Sequence, residues 1–358
     1  MNISIIAHGG KLIGMGHIMR TLTLATELAR LKESVSFISK YEQGIDVIKK
    51  HGFHVTSISC NIQQHNVFNY GNEEELLDEL YQIESIISKS KPNAIIIDSY
   101  NVDLNYFNTL RKYSECIVYI DDLNKFSYPV DILINGTICA ELINYNTGLD
   151  NELMLLGLKY NLIRSEFKNI PSRVINQYVK NVMITVGGSD PHNLTERLID
   201  LVSLEEEFEN RNFHIVVTRE FPYKDNVYQL ANKYRNLKIY ENPQRISDIM
   251  LKSDLAISAG GSTVYELLSC GVPVLVFCYA ENQKPQIETM DKMGLISYLG
   301  YYNELDNNLF LKKYRNIIND YCMRSGYIQS GQKLIDCKGP ERIAWAIKDY
   351  QEKIINNL

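Results

Sequence analysis

The sequence predicts an α/β protein built from two Rossmann-like, doubly wound domains. Three observations predict it. Short apolar runs alternate with helix-patterned runs along nearly all of the 358 residues. The apolar runs are continuous, as in parallel strands covered on both faces. Glycine-rich turns follow several of them: Gly14 and Gly16, Gly187-Gly188, and Gly260-Gly261. All lie at carboxyl ends of strands, where open α/β sheets bind ligands.

In the first half the expected strands are residues 3–7, 35–38, 94–98, 117–121 and 132–134. Helical patterns lie between them. Ile18, Leu22, Ala25 and Leu28 share one face, and Leu76, Leu77, Leu80, Ile83, Ile86 and Ile87 share another. The second half repeats the scheme with strands at 182–186, 215–217, 237–240, 255–258 and 274–277. Such alternation is the signature of parallel sheets. The stretch 169–180 is polar and contains Pro171, so the domains are expected at 1–170 and 178–358, facing a central cleft, with the final helix packing back on the first domain. The region 60–72 is polar and patternless and receives no assignment.

Composition narrows the class. Hydrophobic content of 45% and charged content of 22% are those of a soluble globular chain. A net charge of -6 without a basic run argues against nucleic acid as a partner. No apolar run approaches the ~20 residues needed to cross a bilayer, so no integral membrane association is expected. The N-terminus enters a strand at once and lacks a signal-peptide pattern. The seven cysteines are scattered, with no C-x-x-C pair. They are expected to be reduced, mostly buried thiols in a cytoplasmic protein, and their spacing disfavours zinc.

The most informative stretch is residues 255–283. A buried strand leads into Ala259-Gly260-Gly261, and a helix opens at Ser262 and Thr263 with Glu266 one turn in. A second buried strand then leads to Asn282-Gln283. A helix start after Gly-Gly offers backbone N–H groups and the positive end of the dipole to an anion, usually phosphate. The plainer alternative is a Thr263-x-x-Glu266 capping box. Asn282-Gln283 reads either as an N-cap or as a pair of amides suited to sugar hydroxyls.

Near the N-terminus, Gly14-Met15-Gly16-His17-Ile18-Met19-Arg20 repeats the device. His17 at a helix start reads either as a general base, since a helix N-terminus disfavours the charged ring, or as a capping or packing residue. Arg20, three residues on, shares its face. It meets either phosphate or an acidic neighbour. Tyr100 reads either as a contact to sugar or water, or as one core aromatic among 24 tyrosines. Asp121-Asp122 either position His17 or a hydroxyl, or cap a turn. His192 is expected in the first turn of a solvent-facing helix, without a role. His8, His51, His54, His65 and His214 have no companions at ligand spacing. No strand is followed by G-x-G-x-x-G with an acid ~20 residues later, which disfavours a dehydrogenase.

Gly14-x-Gly16-His17-Ile18-x-Arg20 resembles the start of the UDP-sugar hydrolases of the pseudaminic acid pathway, which are similar to MurG-type glycosyltransferases of the two-domain GT-B fold. Further segments match in the same order. They are Ile96-Ile97-Asp98-Ser99-Tyr100, Asp121-Asp122, Asp131-Ile132-Leu133-Ile134-Asn135, and the block from Leu156-Gly157 to Glu166-Phe167. Gly187-Gly188-Ser189-Asp190-Pro191-x-Asn193-Leu194, the stretch from Gly260 to Gln283, and the tail from Gly331 to Ile343 complete the series. Spore-coat and surface-polysaccharide proteins share the pattern. The chain departs from the family at Ser99, where the family has histidine, and at 60–72, which has no counterpart.

The resemblance implies a GT-B fold and metal-independent, inverting hydrolysis of a UDP-linked N-acetylated, 6-deoxy aminosugar, with no cofactor. It implies His17 as base and Tyr100 as its catalytic companion. It also implies Gly14, Gly16, Arg20, Gly188, Gly261, Ser262, Thr263, Glu266, Asn282 and Gln283 as the binding set, with Glu266 on the ribose hydroxyls. A GT-B glycosyltransferase with the same donor site is the first alternative. A non-catalytic nucleotide-sugar-binding protein, in which His17 is dispensable, is the second. The sequence leaves the sugar and the oligomeric state open.

Overall fold

The computed structural model describes residues 1–10, 13–59, 71–146, 152–219 and 221–357. Residues 60–70, the bulk of the unassigned segment and the site of His65, lie outside the described residues. The chain divides into two compact units, residues 1–164 with 338–358, and residues 165–337.

The first unit runs β1 (Asn2–Ala7), α1 (Gly16–Arg30), β2 (Ser34–Ser39), α2 (Glu42–Lys50), β3 (His54–Ser57), α3 (Glu73–Ser90), β4 (Ala94–Asp98), α4 (Leu104–Arg111), β5 (Cys116–Ile120), β6 (Ile132–Asn135) and β7 (Leu153–Leu156). Its strands form one seven-stranded sheet in the order β3-β2-β1-β4-β5-β6-β7. Every pairing is parallel. The order reverses between β1 and β4, so the crevice at that switch point is where such a sheet receives a ligand. Ile3, Ile5, Ile96 and Val118 are fully buried on one face, and Ile6, Ile95, Ile97 and Ile117 on the other. Burial on both faces is why these strands read as unbroken apolar runs.

The expected stripe on α1 is buried, with Ile18, Ala25 and Leu28 inaccessible. On α3 the expected stripe is narrower than read. Leu76, Leu80, Ile83 and Ile87 face the core, whereas Leu77 is exposed, because it lies one residue off the i, i+4 row. Asn72 starts α3 with a capping box: its side chain accepts from the Glu75 N–H, and Glu75 accepts from the Asn72 N–H, each at 2.9 Å.

The second unit runs β8 (Asn181–Thr185), α5 (Leu194–Ser203), β9 (Asn212–Val217), α6 (Lys224–Lys233), β10 (Leu237–Glu241), α7 (Ser247–Lys252), β11 (Leu255–Ala259), α8 (Thr263–Ser269), β12 (Val274–Cys278), α9 (Lys284–Lys292), β13 (Ser297–Tyr301), α10 (Asn307–Asn319) and α11 (Tyr321–Leu334). Its six parallel strands are ordered β10-β9-β8-β11-β12-β13, with the switch point between β8 and β11. The last helix, α12 (Gly339–Asn357), belongs to the first unit, where Ile343, Ala344 and Ile347 join the core of α1.

The division falls at Arg164/Ser165, ahead of the expected 169–180 stretch. Glu166 explains the difference: its carboxylate accepts from the Ser247 hydroxyl at 2.8 Å, tying residues 165–167 to the second unit. The polar stretch that followed is likewise bound within that unit. Asp254 accepts from Asn176 Nδ2 and from the N–H groups of Lys180 and Asn181. Among the described residues no helix is long and apolar enough to cross a membrane.

Candidate active site

The β1–β4 switch point of the first unit gathers the side chains that carry chemistry. A tight loop follows β1, closed by mutual backbone hydrogen bonds between Gly10 and Gly14 at 3.0 and 2.8 Å. Gly14 has φ +74°, a conformation that glycine adopts without strain. Gly16 opens α1, which begins without a side-chain cap. His17, the second residue of α1, is therefore no capping group. It is buried, and its Nδ1 lies 2.6 Å from Oδ1 of Asp98 at the end of β4.

Arg20, one turn along α1, completes the arrangement. Its Nε donates to Asp98 Oδ2 and its Nη2 to Asp98 Oδ1, both at 2.6 Å. Its Nη1 donates to Asp122 Oδ2 at 2.7 Å. Of the two roles open to Arg20, the guanidinium meets acidic neighbours. Tyr100, two residues beyond β4, donates its hydroxyl to the same Asp122 oxygen at 2.5 Å. Its ring stands edge-on to His17, with centroids 4.6 Å apart at 81°.

Burial alone would raise the Asp98 carboxyl, but the charges and hydrogen bonds of Arg20 and His17 outweigh it and hold it at about 2. Burial likewise opposes the charge on Arg20, and Asp122 and Asp98 outweigh it, raising the guanidinium further. Asp98 is therefore an ionised, acceptor-only group, so His17 Nδ1 must be the donor. In its neutral form the ring carries its lone pair on Nε2. This is the tautomer logic by which a buried carboxylate orients a histidine base.

The adjacent aspartates divide their roles. Asp121 is inaccessible and accepts from the N–H groups of Leu123 and Asn124 and from the hydroxyls of Tyr128 and Tyr145, so it holds the turn after β5. Asp122 alone turns toward Arg20 and Tyr100.

A second buried cluster was missed in the sequence. His8, just after β1, has Nε2 at 3.0 Å from Glu79 on α3, and Lys40, just after β2, donates to the other Glu79 oxygen at 2.7 Å. His8 thus has a charged companion in Glu79, 71 positions away and beyond any local spacing.

In the second unit, Gly260-Gly261 and the start of α8 follow β11. The Thr263-x-x-Glu266 capping box is not formed: Ser262 is the N-cap residue, and α8 has no side-chain cap hydrogen bond. Glu266 is buried one turn in. Gly260 is required sterically, because a Cβ there would lie 2.8 Å from Ile287. Asn282 and Gln283 sit in the 3-10 turn Glu281–Gln283 before α9, and Gln283 accepts from the Tyr279 N–H at 2.9 Å. The Gln283 amide nitrogen comes within 4.0 Å of the Cβ position of Gly261, which brings the two turns side by side.

Gly188 is exposed, and its carbonyl accepts from Thr218 Oγ1 at 2.9 Å. Asp190 caps α5 through the N–H groups of Leu194 and Thr195, both at 2.8 Å. His192 precedes α5 rather than lying in its first turn, because Asn193 is the N-cap residue and the helix starts at Leu194. It is exposed and stacks on Tyr302 at 4.5 Å.

Comparison with known proteins agrees with this architecture. Residues 181–290 match the glycosyltransferase family 28 C-terminal domain. The crystal structure of Acinetobacter baumannii MurG superposes with a TM-score of 0.67 over 98% of this chain and 100% of that one, at 12% identity. This chain has the GT-B fold. Its sequence relatives include the spore coat polysaccharide biosynthesis protein SpsG of Bacillus subtilis, 23% identical over 99% of this chain and all of that protein. They also include the UDP-2,4-diacetamido-2,4,6-trideoxy-beta-L-altropyranose hydrolase of Campylobacter jejuni, 22% identical over 79% of this chain and 93% of that protein. An uncharacterized protein of Methanocaldococcus jannaschii is 32% identical over 79% of this chain, which spans only 57% of that protein's length. The GT-B chain is thus related both to hydrolases of the pseudaminic acid pathway and to proteins of polysaccharide biosynthesis.

Proposed function

We propose that this chain hydrolyses a UDP-linked N-acetylated (deoxy)aminosugar with inversion, releasing UDP and free sugar for nonulosonic acid or surface polysaccharide synthesis. The observation that carries the reading is the Asp98–His17 pair at the first switch point, which directs the basic Nε2 outward from the carboxylate. In this reaction His17 takes a proton from water as the water oxygen bonds to the anomeric carbon. The bond from that carbon to the diphosphate breaks, and its electrons leave with UDP. The start of α8, with Gly261, Ser262 and Thr263, meets the diphosphate charge through N–H groups and the helix dipole. Glu266 accepts from the ribose hydroxyls, and Asn282 and Gln283 bind sugar hydroxyls beside it. Gly14, Gly16 and Gly188 let the backbone approach the ligand. Arg20 acts through the two aspartates and not on phosphate. No metal is required by this scheme, and the protein acts in the cytoplasm.

The second reading is a glycosyltransferase that uses the same donor, and the match to a glycosyltransferase C-terminal domain favours it. One experiment separates the two. The purified protein is offered UDP-, GDP- and CMP-sugars, including UDP-linked diacetamido sugars, without any acceptor. Release of UDP with free sugar supports hydrolysis. Binding without release supports transfer or a non-catalytic nucleotide-sugar-binding protein.

A further inference from the structure

His192 has no part in the scheme above, yet it is held in more order than an exposed side chain needs. It lies between two fixed residues. Asp190 is buried and accepts from the first two N–H groups of α5, and Asn193, the N-cap residue, has φ +54°. The His192 ring stacks on Tyr302, in the turn after β13, with centroids 4.5 Å apart at 22°. Tyr302 also stacks on Tyr279, the residue after β12, at 4.8 Å and 16°. The His192 and Tyr279 centroids are 5.7 Å apart, too close for rings on opposite faces of Tyr302, so both lie against one face of it. The two tyrosines are half-buried against the core of the second unit, and His192 is exposed. The side of the His192 ring away from Tyr302 is therefore the open aromatic surface of the cluster.

The cluster adjoins the turns assigned to the donor. The Tyr279 N–H donates to Gln283 Oε1 at 2.9 Å, and the nitrogen of the same amide comes within 4.0 Å of the Cβ position of Gly261. Gln283 thus links the Gly260-Gly261 turn to Tyr279, at the sugar end of the donor rather than the ribose end. We propose that His192, backed by Tyr302 and Tyr279, is a specificity-determining residue that stacks on an acetamido group of the donor sugar. An acetamido group is flat and carries a π-system, so it matches an open ring face. A hydroxyl at the same carbon offers no plane to stack and gives up hydration against the ring. A ring already held by Tyr302 loses little freedom when the sugar arrives, which favours the contact. The inference rests on the N-acetylated donor proposed above and adds the group that recognises the N-acetylation.

The test is a ratio of affinities. Wild type and variants are titrated calorimetrically with UDP and with two UDP phosphonates, in which a CH2 group replaces the glycosidic oxygen and prevents turnover. One phosphonate carries a diacetamido deoxysugar, and the other carries the same sugar with hydroxyls in place of both acetamido groups. The wild type should prefer the diacetamido analogue. His192→Ala should reduce that preference roughly three- to tenfold and leave UDP affinity unchanged. His192→Phe should stay within about twofold of wild type, because a ring without nitrogen still stacks. His192→Asn, which keeps a polar group and loses the ring, should behave as His192→Ala does. The residue is exposed, so each variant is expected to fold. A preference unaltered in His192→Ala, a preference lost in His192→Phe, or a loss that falls equally on UDP overturns the inference and leaves the N-acetylated donor standing. A wild type that does not bind UDP, or that binds it without preferring the diacetamido analogue, overturns the proposed donor and the inference with it.

Discussion

His17 Nδ1 and Asp98 Oδ1 lie 2.6 Å apart although 81 positions separate them in the chain. The contact exists because β1 and β4 are neighbours in the sheet, with Ala7 paired to Asp98 in register. The loop after β1 then returns α1 over the end of β4. Replacing the carboxylate by an amide removes the group that fixes the histidine tautomer. Asp98→Asn is expected to lower turnover by roughly 10²–10⁴-fold, the range of a lost general base, with little change in UDP affinity. Single-turnover kinetics and UDP calorimetry on the same variant would check both halves.

Acid stability follows from two depressed carboxyls. Asp98 falls from 3.8 to about 2 and Glu79 from 4.5 to about 2, and both are buried. Depression means that their stabilisation is present above the ordinary carboxylate range and is lost as pH falls through about 2. Each contributes on the order of 2–3 kcal/mol on the linkage relation. Thermal melts between pH 5 and pH 2 should show a falling melting temperature that is shallower in Glu79→Gln than in wild type. Parallel curves would place the acid sensitivity elsewhere.

Much of the fold was readable because buried parallel strands announce themselves as apolar runs. The strands that escaped, β3, β7 and β13, all lie at sheet edges. Edge strands have one neighbour, and β3 and β13 are largely half-exposed with polar residues such as His54, Thr56 and Ser297. The turns carrying Gly14, His17 and Gly260-Gly261 were legible from local pattern. The partners of His17, Arg20 and His8 were not, since Asp98, Asp122 and Glu79 reach them only through sheet topology. Nor does the sequence say which of Asp121 and Asp122 faces the site. Adjacent residues point to different sides, and only the turn after β5 decides.

The nucleotide side of the reading is tested at Glu266. With no capping box at α8, Glu266→Ala should not remove a cap. UDP binding should weaken by about 1.5–3 kcal/mol, the value of a hydrogen bond to a charged group. Calorimetric titration should show that loss. Unchanged affinity would mean that the ribose is held elsewhere.

Phosphate charge in this scheme is met by backbone N–H groups and a helix dipole. Activity should therefore survive exhaustive EDTA treatment and gain nothing from Mg²⁺ or Mn²⁺. A strict metal requirement, read from initial rates after chelation and add-back, would contradict this scheme.

The central claim is that His17 activates water against the anomeric carbon. The most direct measurement is the reaction of wild type and His17→Ala with a turned-over UDP-sugar in ¹⁸O-water, following both rate and label. The account predicts label in the released sugar and none in UDP, with turnover in His17→Ala reduced roughly 10²–10⁴-fold and UDP affinity nearly intact. Label in the diphosphate, or a His17→Ala variant with full activity, would contradict it.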